Sequence, residues 1–435
     1  MSKKVFIETL GCAMNIRDSE HILAELRAKE GYEIASSAEE ADLILINTCS
    51  VRERPVSKLF SELGAFNLTK KEGAKIGVCG CTATHLGAAI FRRAPFVDFV
   101  LGARNVSRVS EALNTQKAVF TDAAYDESEF AFADYRGSRY QALINISIGC
   151  DKQCAYCIVP HARGKEISIP SRLILNEARR AAESGAVEIV LLGQNVNSYG
   201  ARFSGENETI DFSSLLERVA EIDGIRRIRF QSPHPLHIDE RFLEVFARID
   251  KVCKHLHLPL QSGSNRVLRA MKRGYTRERF LEIANRAREV PKSTISTDII
   301  VGFPGETDED FEETLEVMRV ARFEQVFAFR FSPRPMTAAA KMENQVEPEI
   351  AAARLAILQN LYKSHLKEAA RSQIGKVFEC FLEAASGGEG LYARAHNFFA
   401  LKVACDQATI RDRAGSFAPI KAIAANNGAL IGEFA

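Results

Sequence analysis

Short apolar runs alternate with amphipathic stretches over roughly the first 110 residues of the chain. The predicted elements are strands at 4–11, 41–49, 75–81 and 96–102 and helices from Asn15 to Lys29 and from about Arg54 to Asn67. The run at 41–49 is almost continuously apolar, which is typical of a parallel strand buried on both faces. The pattern predicts a small doubly wound α/β domain over residues 1–116, with ligands bound where its strands end and loops begin.

A second alternation begins at Tyr140 and predicts a larger α/β domain over residues 140–371. The segment before it, 117–139, is irregular and partly acidic, and we interpret it as a linker. The predicted strands of the larger domain are YQALINISI, AVEIVLLG, RIRFQS, HLHLPLQS, TISTDIIVG and QVFAFRFS. Six β/α units joined by right-handed crossovers would curl into a partial (β/α)6 barrel. In such barrels the chemistry gathers at the C-terminal ends of the strands.

The tail of the chain, residues 372–435, has a third pattern. Its short β-like runs are KVFECFLEA, FFALKVACD, APIKAIAAN and ALIGEF, and a helix rich in Ala and Leu from about Glu347 to Arg371 precedes them. These runs predict a small antiparallel β-barrel.

The overall composition indicates an ordinary globular protein. The 435 residues are 46% hydrophobic and 26% charged, with a net charge of +1, so nucleic-acid binding must depend on local sites. No apolar run approaches the roughly 18–20 residues of a membrane helix, and we expect no membrane partner. Ten cysteines without an export signal predict a cytoplasmic protein, whose thiols serve metals or catalysis rather than disulfides.

The motif Cys150-x-x-x-Cys154-x-x-Cys157 offers three thiolates and no fourth. Structural zinc needs four closed ligands, and a four-iron cluster is normally held by four cysteines. Three cysteines therefore predict a cluster with one iron open to another ligand. The spacing, with the aromatic Tyr156 before the last cysteine, is that of the radical S-adenosylmethionine (SAM) enzymes. A redox or zinc loop with a distant fourth ligand is the alternative interpretation.

A second set of three cysteines ends the predicted strands of the N-terminal domain. Cys12, Cys49 and Cys81 occupy strand ends, which converge at one edge of a doubly wound sheet, so they could hold a second cluster with an open iron. The alternative is that they are small buried residues. We interpret the remaining cysteines as structural; these are Cys79, Cys253, Cys380 and Cys405.

The segments that carry these cysteines resemble one family. They are ETLGCAMNIRDSEH, ADLILINTCSVRE and GCDKQCAYCIVPHARGKE, together with LLGQNVNSYG. The chain is similar over its whole length to the radical-SAM methylthiotransferases, which end in a small β-barrel called TRAM. The resemblance implies an auxiliary 4Fe-4S cluster on Cys12, Cys49 and Cys81. It also implies a second 4Fe-4S cluster on the CxxxCxxC cysteines, which binds SAM as radical source, while SAM is also the methyl donor.

Within this family the motifs are most similar to the branch that converts N6-isopentenyladenosine, 3′ of the anticodon in tRNA, into its 2-methylthio derivative. Sister branches act on threonylcarbamoyl-adenosine in tRNA or on an aspartate of a ribosomal protein. A metal-binding RNA adaptor without catalysis is a further alternative. Two segments depart from the family pattern: Met336 stands where Gly is frequent, and YARAHNFFALKV replaces a common Gly-Arg-Thr start.

Further site residues follow from the resemblance, from the predicted strand ends and from local charge. The resemblance implies that Tyr156 lies near the adenine of SAM, with a packing aromatic as the alternative. The other expected cofactor-binding residues end predicted strands and could instead only shape the barrel mouth; they are Gly193, Gln194, Asn195, Gln261 and Asp298. The expected contacts to tRNA phosphates are Arg52, Arg54, Arg163 and Lys165, for which ordinary surface charge is the alternative. The expected partners are a tRNA anticodon stem-loop and a low-potential electron donor, and nothing in the sequence requires more than a monomer.

Overall fold

The computed structural model describes residues 2–50, 53–122, 135–203, 210–385 and 389–435, with only the backbone described for 53–55. These residues form two compact units. The first comprises Met1–Ser184, Ile189–Asp211 and Arg334–Thr337, and the second comprises Gly185–Glu188, Phe212–Pro333 and Ala338–Ala435. None of the helices in the described ranges has the length and hydropathy that crossing a bilayer requires.

The first unit opens with a parallel six-stranded sheet. Its elements are β1 (Lys4–Leu10), α1 (Ala13–Glu30), β2 (Glu33–Ile34), β3 (Leu43–Thr48), α2 (Glu53–Thr69), β4 (Lys75–Gly80), α3 (Cys81–Leu86), α4 (Ala89–Arg93), β5 (Phe99–Gly102), α5 (Val109–Asn114) and β6 (Val119–Phe120). The strand order is β2-β1-β3-β4-β5-β6. Every residue of the central β3 is buried, which explains its continuous apolar run. The doubly wound fold is confirmed, and β6 extends the sheet beyond residue 116.

The same unit continues into elements that surround the CxxxCxxC motif. They are β7 (Gln141–Asn145), β8 (Ser147–Ile148), α6 (Val159–Arg163), β9 (Ile167–Ser168), α7 (Ser171–Glu183) and β10 (Glu188–Leu192). Strand β7 lies beside β10. Strands β8 and β9 pair antiparallel, with Ser147 opposite Ser168 and Ile148 opposite Ile167. This pair closes the base of the loop that carries the three cysteines.

The second unit continues the alternation of strands and helices. Its elements are α8 (Phe212–Ala220), β11 (Arg227–Phe230), α9 (Glu240–Arg248), β12 (His255–His257), α10 (Asn265–Ala270), α11 (Arg277–Glu289), β13 (Thr294–Val301), α12 (Asp308–Ala321), β14 (Gln325–Arg330) and α13 (Pro348–Arg371). Strands β12, β13 and β14 form a parallel sheet. All six strands predicted from Tyr140 onward are present. Strand β12 is shorter than predicted because Pro259 cannot donate to the ladder and Gln261 has a positive φ of 68°.

The chain ends in a closed five-stranded barrel. It consists of β15 (Val377–Ala384), β16 (Leu391–Ala395), β17 (Ala400–Val403), α14 (Gln407–Arg413), β18 (Phe417–Asn426) and β19 (Ala429–Phe434). The strand order around the barrel is β15-β16-β17-β19-β18. The predicted small barrel is confirmed, although β17 and β19 run parallel to each other. Strand β16 and helix α14 were not predicted. Most of the predicted linker, 117–139, lies outside the described residues.

Candidate functional site

The first cysteine set meets at the carboxyl ends of three neighbouring strands. Cys12 follows β1 and caps α1, Cys49 follows β3, and Cys81 opens α3 directly after β4. The thiol of Cys49 is hydrogen-bonded to both Cys12 and Cys81. The structure therefore brings the three predicted sulfur atoms together.

A buried pair of asparagines fixes this convergence. Asn15 donates from Nδ2 to Asn47 Oδ1 at 3.0 Å, and Asn47 donates from Nδ2 to the Asn15 carbonyl at 2.9 Å. The Sγ of Cys12 lies 3.4 Å from Asn15 Oδ1, so the pair also holds a cysteine. Gly80 has φ +92°, and a Cβ there would lie 2.3 Å from Asn47 Oδ1. Sequence reasoning missed Asn15 and Asn47, and their placement close in sequence to cysteine-bearing strand ends was the available signal.

Arg163 lies in this cysteine cluster rather than at a surface. Its Nε donates to Cys81 Sγ at 3.3 Å, and its Nη2 donates to Asp18 Oδ2 at 2.5 Å. Both members of the Arg163–Asp18 ion pair are buried, at 4% and 5% side-chain exposure. A guanidinium held in this way cannot reach a phosphate outside the protein, so the predicted phosphate contact of Arg163 is corrected. Asp18, which sequence reasoning missed, is the partner that directs it inward.

The cysteine cluster favours thiolates at two positions. The hydrogen bond from Cys49, helped by the positive charge of Arg163, lowers the pKa of Cys12 to about 6. The same two causes lower the pKa of Cys81 to about 7, against the opposing effect of burial. The pKa of Cys49 is raised because its thiol is hydrogen-bonded to Cys12 and Cys81, because it is buried, and because negative charge on these two neighbours opposes its ionisation. Thiolates are the form that binds iron, so this donor set fits an iron-sulfur cluster.

The three thiols of this set contact one another rather than surround a metal position. In the part of the chain that the structure describes, no group of three or more His, Cys, Asp or Glu side chains has the arrangement of a metal site. Cys12, Cys49 and Cys81 would hold the cluster, and Asn15 beside them contacts both Cys12 and Asn47.

The CxxxCxxC loop has its own backbone supports. The N–H of Cys150 donates to the Gly164 carbonyl at 3.1 Å, and the N–H of Cys157 donates to the Cys154 carbonyl at 3.0 Å. All three thiols are half-buried. Burial raises the pKa of Cys150 to about 11, so this sulfur is a protonated thiol at neutral pH until a metal displaces the proton. Tyr156 lies half-buried in the turn between Cys154 and Cys157.

A group of buried polar atoms lies beside this loop at the end of β10. The Oε1 of Gln194 accepts from the Gly149 N–H at 2.5 Å. A Cβ at Gly193 would lie 2.4 Å from Ser147 Oγ, so only glycine permits this approach. Within the described residues, neither amide atom of Asn195 has a hydrogen-bond partner, and the same is true of Gln194 Nε2 and Ser147 Oγ. Buried polar atoms normally find partners, so this group fits a polar ligand such as SAM. Ser147 was not predicted.

Gln261 and Asp298 are neighbours in the second unit. The N–H of Gln261 donates to the Asp298 carbonyl at 2.8 Å, and the Asp298 carboxylate lies 3.2 Å from His257 Nε2. Their expected role in cofactor binding stays a prediction.

The remaining basic candidates have different placements. Lys165 is exposed, and its carbonyl accepts from Arg104 Nη2 at 2.5 Å. Arg52 and the side chain of Arg54 lie outside the described residues. The phosphate contacts expected for these three residues stay predictions.

Comparison with known proteins first defines a class. Residues 144–318 match the profile of the Radical SAM superfamily, and residues 4–102 match an uncharacterized protein family designated UPF0004. A solved structure of the radical S-adenosylmethionine methyltransferase TsrM from Kitasatospora setae has a TM-score of 0.57 at 13% identity, covering 78% of this chain and 74% of that one. The profile match defines the class as that of the radical-SAM proteins, and the likeness to TsrM supports the fold.

Several relatives carry one name, tRNA-2-methylthio-N(6)-dimethylallyladenosine synthase. One from Campylobacter concisus is 60% identical over 404 residues, which cover 93% of each chain. One from Campylobacter jejuni subsp. jejuni is 57% identical over 433 residues, or 99% of each chain. A third, from a Nitratiruptor species, is 59% identical over 404 residues and 93% of each chain. The chain belongs to the family of tRNA-2-methylthio-N(6)-dimethylallyladenosine synthases.

Proposed function

We propose that this chain is a radical-SAM tRNA methylthiotransferase that acts on N6-isopentenyladenosine on the 3′ side of the anticodon. It inserts a methylthio group at carbon 2 of the base and gives 2-methylthio-N6-isopentenyladenosine. The observation that carries this assignment is the 60% identity over 93% of the chain to a relative named for that product. The two groups of three cysteines, all within Met1–Ser184, support it.

The cofactors of this reaction are SAM and two 4Fe-4S clusters. We assign one cluster to Cys150, Cys154 and Cys157, and the auxiliary cluster to the Cys12, Cys49 and Cys81 group. When bound, these groups supply the electron that cleaves SAM, the radical that activates the C–H bond, and the sulfur that is transferred.

Residues near the cysteines would support the two clusters and bind SAM. Asn15 and Asn47 fix the backbone that carries Cys12 and Cys49, and the Arg163 guanidinium offsets the negative charge of the thiolates. Asn195, Gln194 and Ser147 present buried donors and acceptors that suit the amino, carboxylate and hydroxyl groups of SAM. We propose that Tyr156 contacts the adenine of SAM.

The substrate must reach these groups as a base taken out of its stack. Bases in a single-stranded loop are the easiest to extract, which suits an anticodon stem-loop. We propose that the exposed Lys165, with Arg52 and Arg54, contacts phosphates beside the extracted base. We further propose a monomer, supplied by a low-potential electron donor and acting in the cytoplasm, where its tRNA substrate is found.

Anaerobic reconstitution with iron and sulfide, followed by reaction with dithionite and SAM, tests the proposal. We expect about eight irons per chain, 5′-deoxyadenosine formation, and a methylthio product from tRNA that carries isopentenyladenosine but not from tRNA that lacks it. Product on threonylcarbamoyl-adenosine tRNA or on a ribosomal protein instead would identify a sister enzyme. Bound zinc without deoxyadenosine would indicate a non-catalytic adaptor.

Cysteine variants separate the two clusters in the same assay. Cys150→Ala should abolish SAM cleavage, because it removes a ligand of the radical-generating cluster. Cys49→Ala should retain some cleavage and lose methylthio transfer. Cys380→Ala is the matched control for Cys49→Ala, since Cys380 is also a buried free thiol but lies in the C-terminal barrel. Equal loss in the Cys49 and Cys380 variants would contradict the assignment of the auxiliary cluster.

A further inference from the structure

A large cavity lies within the second unit, at the amino ends of four of its strands. It has a volume of about 1460 Å³. Arg227 begins β11 and Thr294 begins β13, while Lys254 and Glu324 directly precede β12 and β14. The C-terminal barrel also lines the cavity, through β15 and the turn between β16 and β17. The chemistry of a β/α barrel gathers at the carboxyl ends of its strands, so this cavity is distinct from the positions predicted for SAM.

Positive charge is concentrated in the wall of this cavity. Eight of its residues are Lys or Arg and four are Asp or Glu, which gives the wall a formal charge of +4. The whole chain, by contrast, has 57 basic and 56 acidic residues and a net charge of +1. A concave surface with one sign of charge attracts ligands of the opposite sign. The cavity therefore favours an anion with several negative charges.

Carboxylates of the cavity wall neutralise several of its arginines but none of its lysines. The lining residues form three ion pairs, which are Arg226–Glu379, Arg288–Glu324 and Arg322–Glu368. The four lysines are Lys251, Lys254, Lys292 and Lys376. In the part of the chain that the structure describes, none of these lysines forms an ion pair with a carboxylate. Their charges are thus available to a bound anion.

The most buried of these lysines has a hydrogen-bond donor left over. Lys254 is 9% exposed, and its Nζ donates to the carbonyls of Phe246 at 2.6 Å and Ile249 at 2.7 Å. An ammonium group has three N–H donors, so one remains for a ligand. Lys292 and Lys376 are exposed, so the same wall has positive charge at both buried and exposed positions. A row of linked phosphate groups can reach charges at both kinds of position.

Aromatic side chains of the C-terminal barrel lie in the same wall. Phe378 and Phe399 are half-buried, with ring centroids 6.3 Å apart, and they pack against the barrel core as well as lining the cavity. Asn397 has an amide oxygen without a hydrogen-bond partner among the described residues. Aromatic rings stack on nucleobases, and an amide oxygen accepts from amino groups such as those of bases. The wall thus combines groups that suit a base with groups that suit phosphates.

We propose that this cavity binds a nucleoside phosphate, with its phosphates on the four lysines and its base beside Phe378 and Phe399. The cavity exceeds the roughly 300–1,000 Å³ of an ordinary small-molecule site, so a phosphate ion alone would fill little of it. Two sources supply this chemistry, a free nucleotide and a nucleotide of an RNA chain. The proposal does not depend on the proposed function, because the cavity shares no residue with the cysteine sets or with the predicted SAM contacts.

Isothermal titration calorimetry of the reconstituted full-length protein tests the proposal, with SAM at saturating concentration to occupy its own site. The probes are ATP and a single-stranded RNA of about twelve nucleotides. Their comparators are inorganic triphosphate and an abasic strand of the same length, which keep the phosphates and lack the bases. We expect ATP or the RNA to bind at least about ten-fold more tightly than its comparator. Equal affinity for probe and comparator would overturn the contact with a base, and no binding of either probe would overturn the proposal.

The two probes also distinguish the two sources. Tighter binding of ATP than of the RNA identifies a free nucleotide, and tighter binding of the RNA identifies an RNA chain. Affinity for the RNA should in addition fall with salt concentration, because each phosphate contact releases counterions.

Charge-reversal variants assign the binding to the cavity. Lys292→Glu combined with Lys376→Glu reverses two exposed charges of the wall and should raise the Kd of the preferred probe at least about ten-fold. Lys341→Glu combined with Lys402→Glu is the matched control, because both are exposed lysines of the second unit that do not line the cavity. Equal weakening by the two double variants would show that the cavity is not the site.

A variant of one aromatic residue tests the contact with the base. Phe399→Leu keeps apolar bulk but loses the ring, so it should weaken binding of the preferred probe and leave that of its comparator unchanged. An equal effect on both would refute the base contact. The melting temperature of each variant shows whether it is folded. Calorimetry reports binding alone, so these results stand whether or not methylthio transfer is observed.

Discussion

Loss of the buried Arg163–Asp18 ion pair should destabilise the first unit strongly. In Arg163→Met the methionine roughly preserves the length of the side chain, but the Asp18 carboxylate remains buried without its cation. Breaking a buried pair from one side costs about 3–5 kcal/mol, because the remaining charge is uncompensated. For a unit of about 200 residues this corresponds to a fall in melting temperature of about 6–20 °C.

The measurement is calorimetry of the cluster-free protein, following the transition of the first unit. Arg319→Met is the matched control, because Arg319 pairs with Glu312 at 49% and 60% exposure and should contribute less than about 1 kcal/mol. The double variant Arg163→Met with Asp18→Leu should lose less unfolding free energy than the two single variants lose together. We expect this difference to be about 1–3 kcal/mol. Additive losses, or a loss in Arg163→Met no larger than that of the control, would refute a coupled buried pair.

The pH dependence of the stability of Arg163→Met gives an independent check of this reasoning, because the direction of the change with pH follows from the pKa of Asp18. Burial already raises the pKa of Asp18 above its ordinary value, and Arg163 opposes that rise. Without Arg163 the pKa rises further, so the folded state retains a proton that the unfolded chain releases above about pH 4. The free energy of unfolding of Arg163→Met should therefore fall as pH rises. The difference in unfolding free energy between the wild type and Arg163→Met should be smaller at pH 5 than at pH 7. A deficit that grows on acidification would contradict this reasoning.

Three further outcomes follow from the site. Gly80→Ala should lower both the melting temperature and the iron content of the reconstituted protein, since a Cβ would lie 2.3 Å from Asn47 Oδ1 at a residue with φ +92°. In the cluster-free protein, the rate of alkylation of Cys12 by iodoacetamide should be half-maximal near pH 6, because its pKa is about 6. Cys150 should react slowly until far higher pH, because its pKa is about 11. Peptide mass spectrometry after timed labelling measures both rates. Asn195→Ala should raise the Kd for SAM by roughly ten-fold, the loss of one or two hydrogen bonds from a buried amide, measured by equilibrium binding to the holoenzyme.

The alternation of strands and helices was predictable from the sequence because the buried faces of these elements require hydrophobic residues at regular intervals. Strand β3 is buried throughout and reads as a continuous apolar run. Strand β16 was not predicted because its sequence LYARA alternates burial over only five residues and includes an arginine. Helix α14 was missed because seven residues with little apolar content give no clear helical period.

The part of the site that depends on short sequence motifs could be predicted from the sequence. Cysteine spacing and strand ends predicted which thiols would meet, because parallel strands bring their carboxyl ends to one edge. The role of Arg163 was not predictable in this way. Its partner, Asp18, lies 145 positions away in the chain, and sequence alone gives no distance between them.

Arg163 also connects the two cysteine sets physically. Helix α6 begins two residues after Cys157 and ends at Arg163, whose guanidinium reaches Cys81 Sγ at 3.3 Å. The short segment that follows the CxxxCxxC loop therefore ends at a ligand proposed for the other cluster, and Asp18 on α1 anchors that end. Helix α6 is only five residues long, so the segment next to Cys157 itself supplies the positive charge that faces the first cysteine set. If the two sets hold the two clusters as proposed, Arg163 and Asp18 link the residues of one cluster to those of the other.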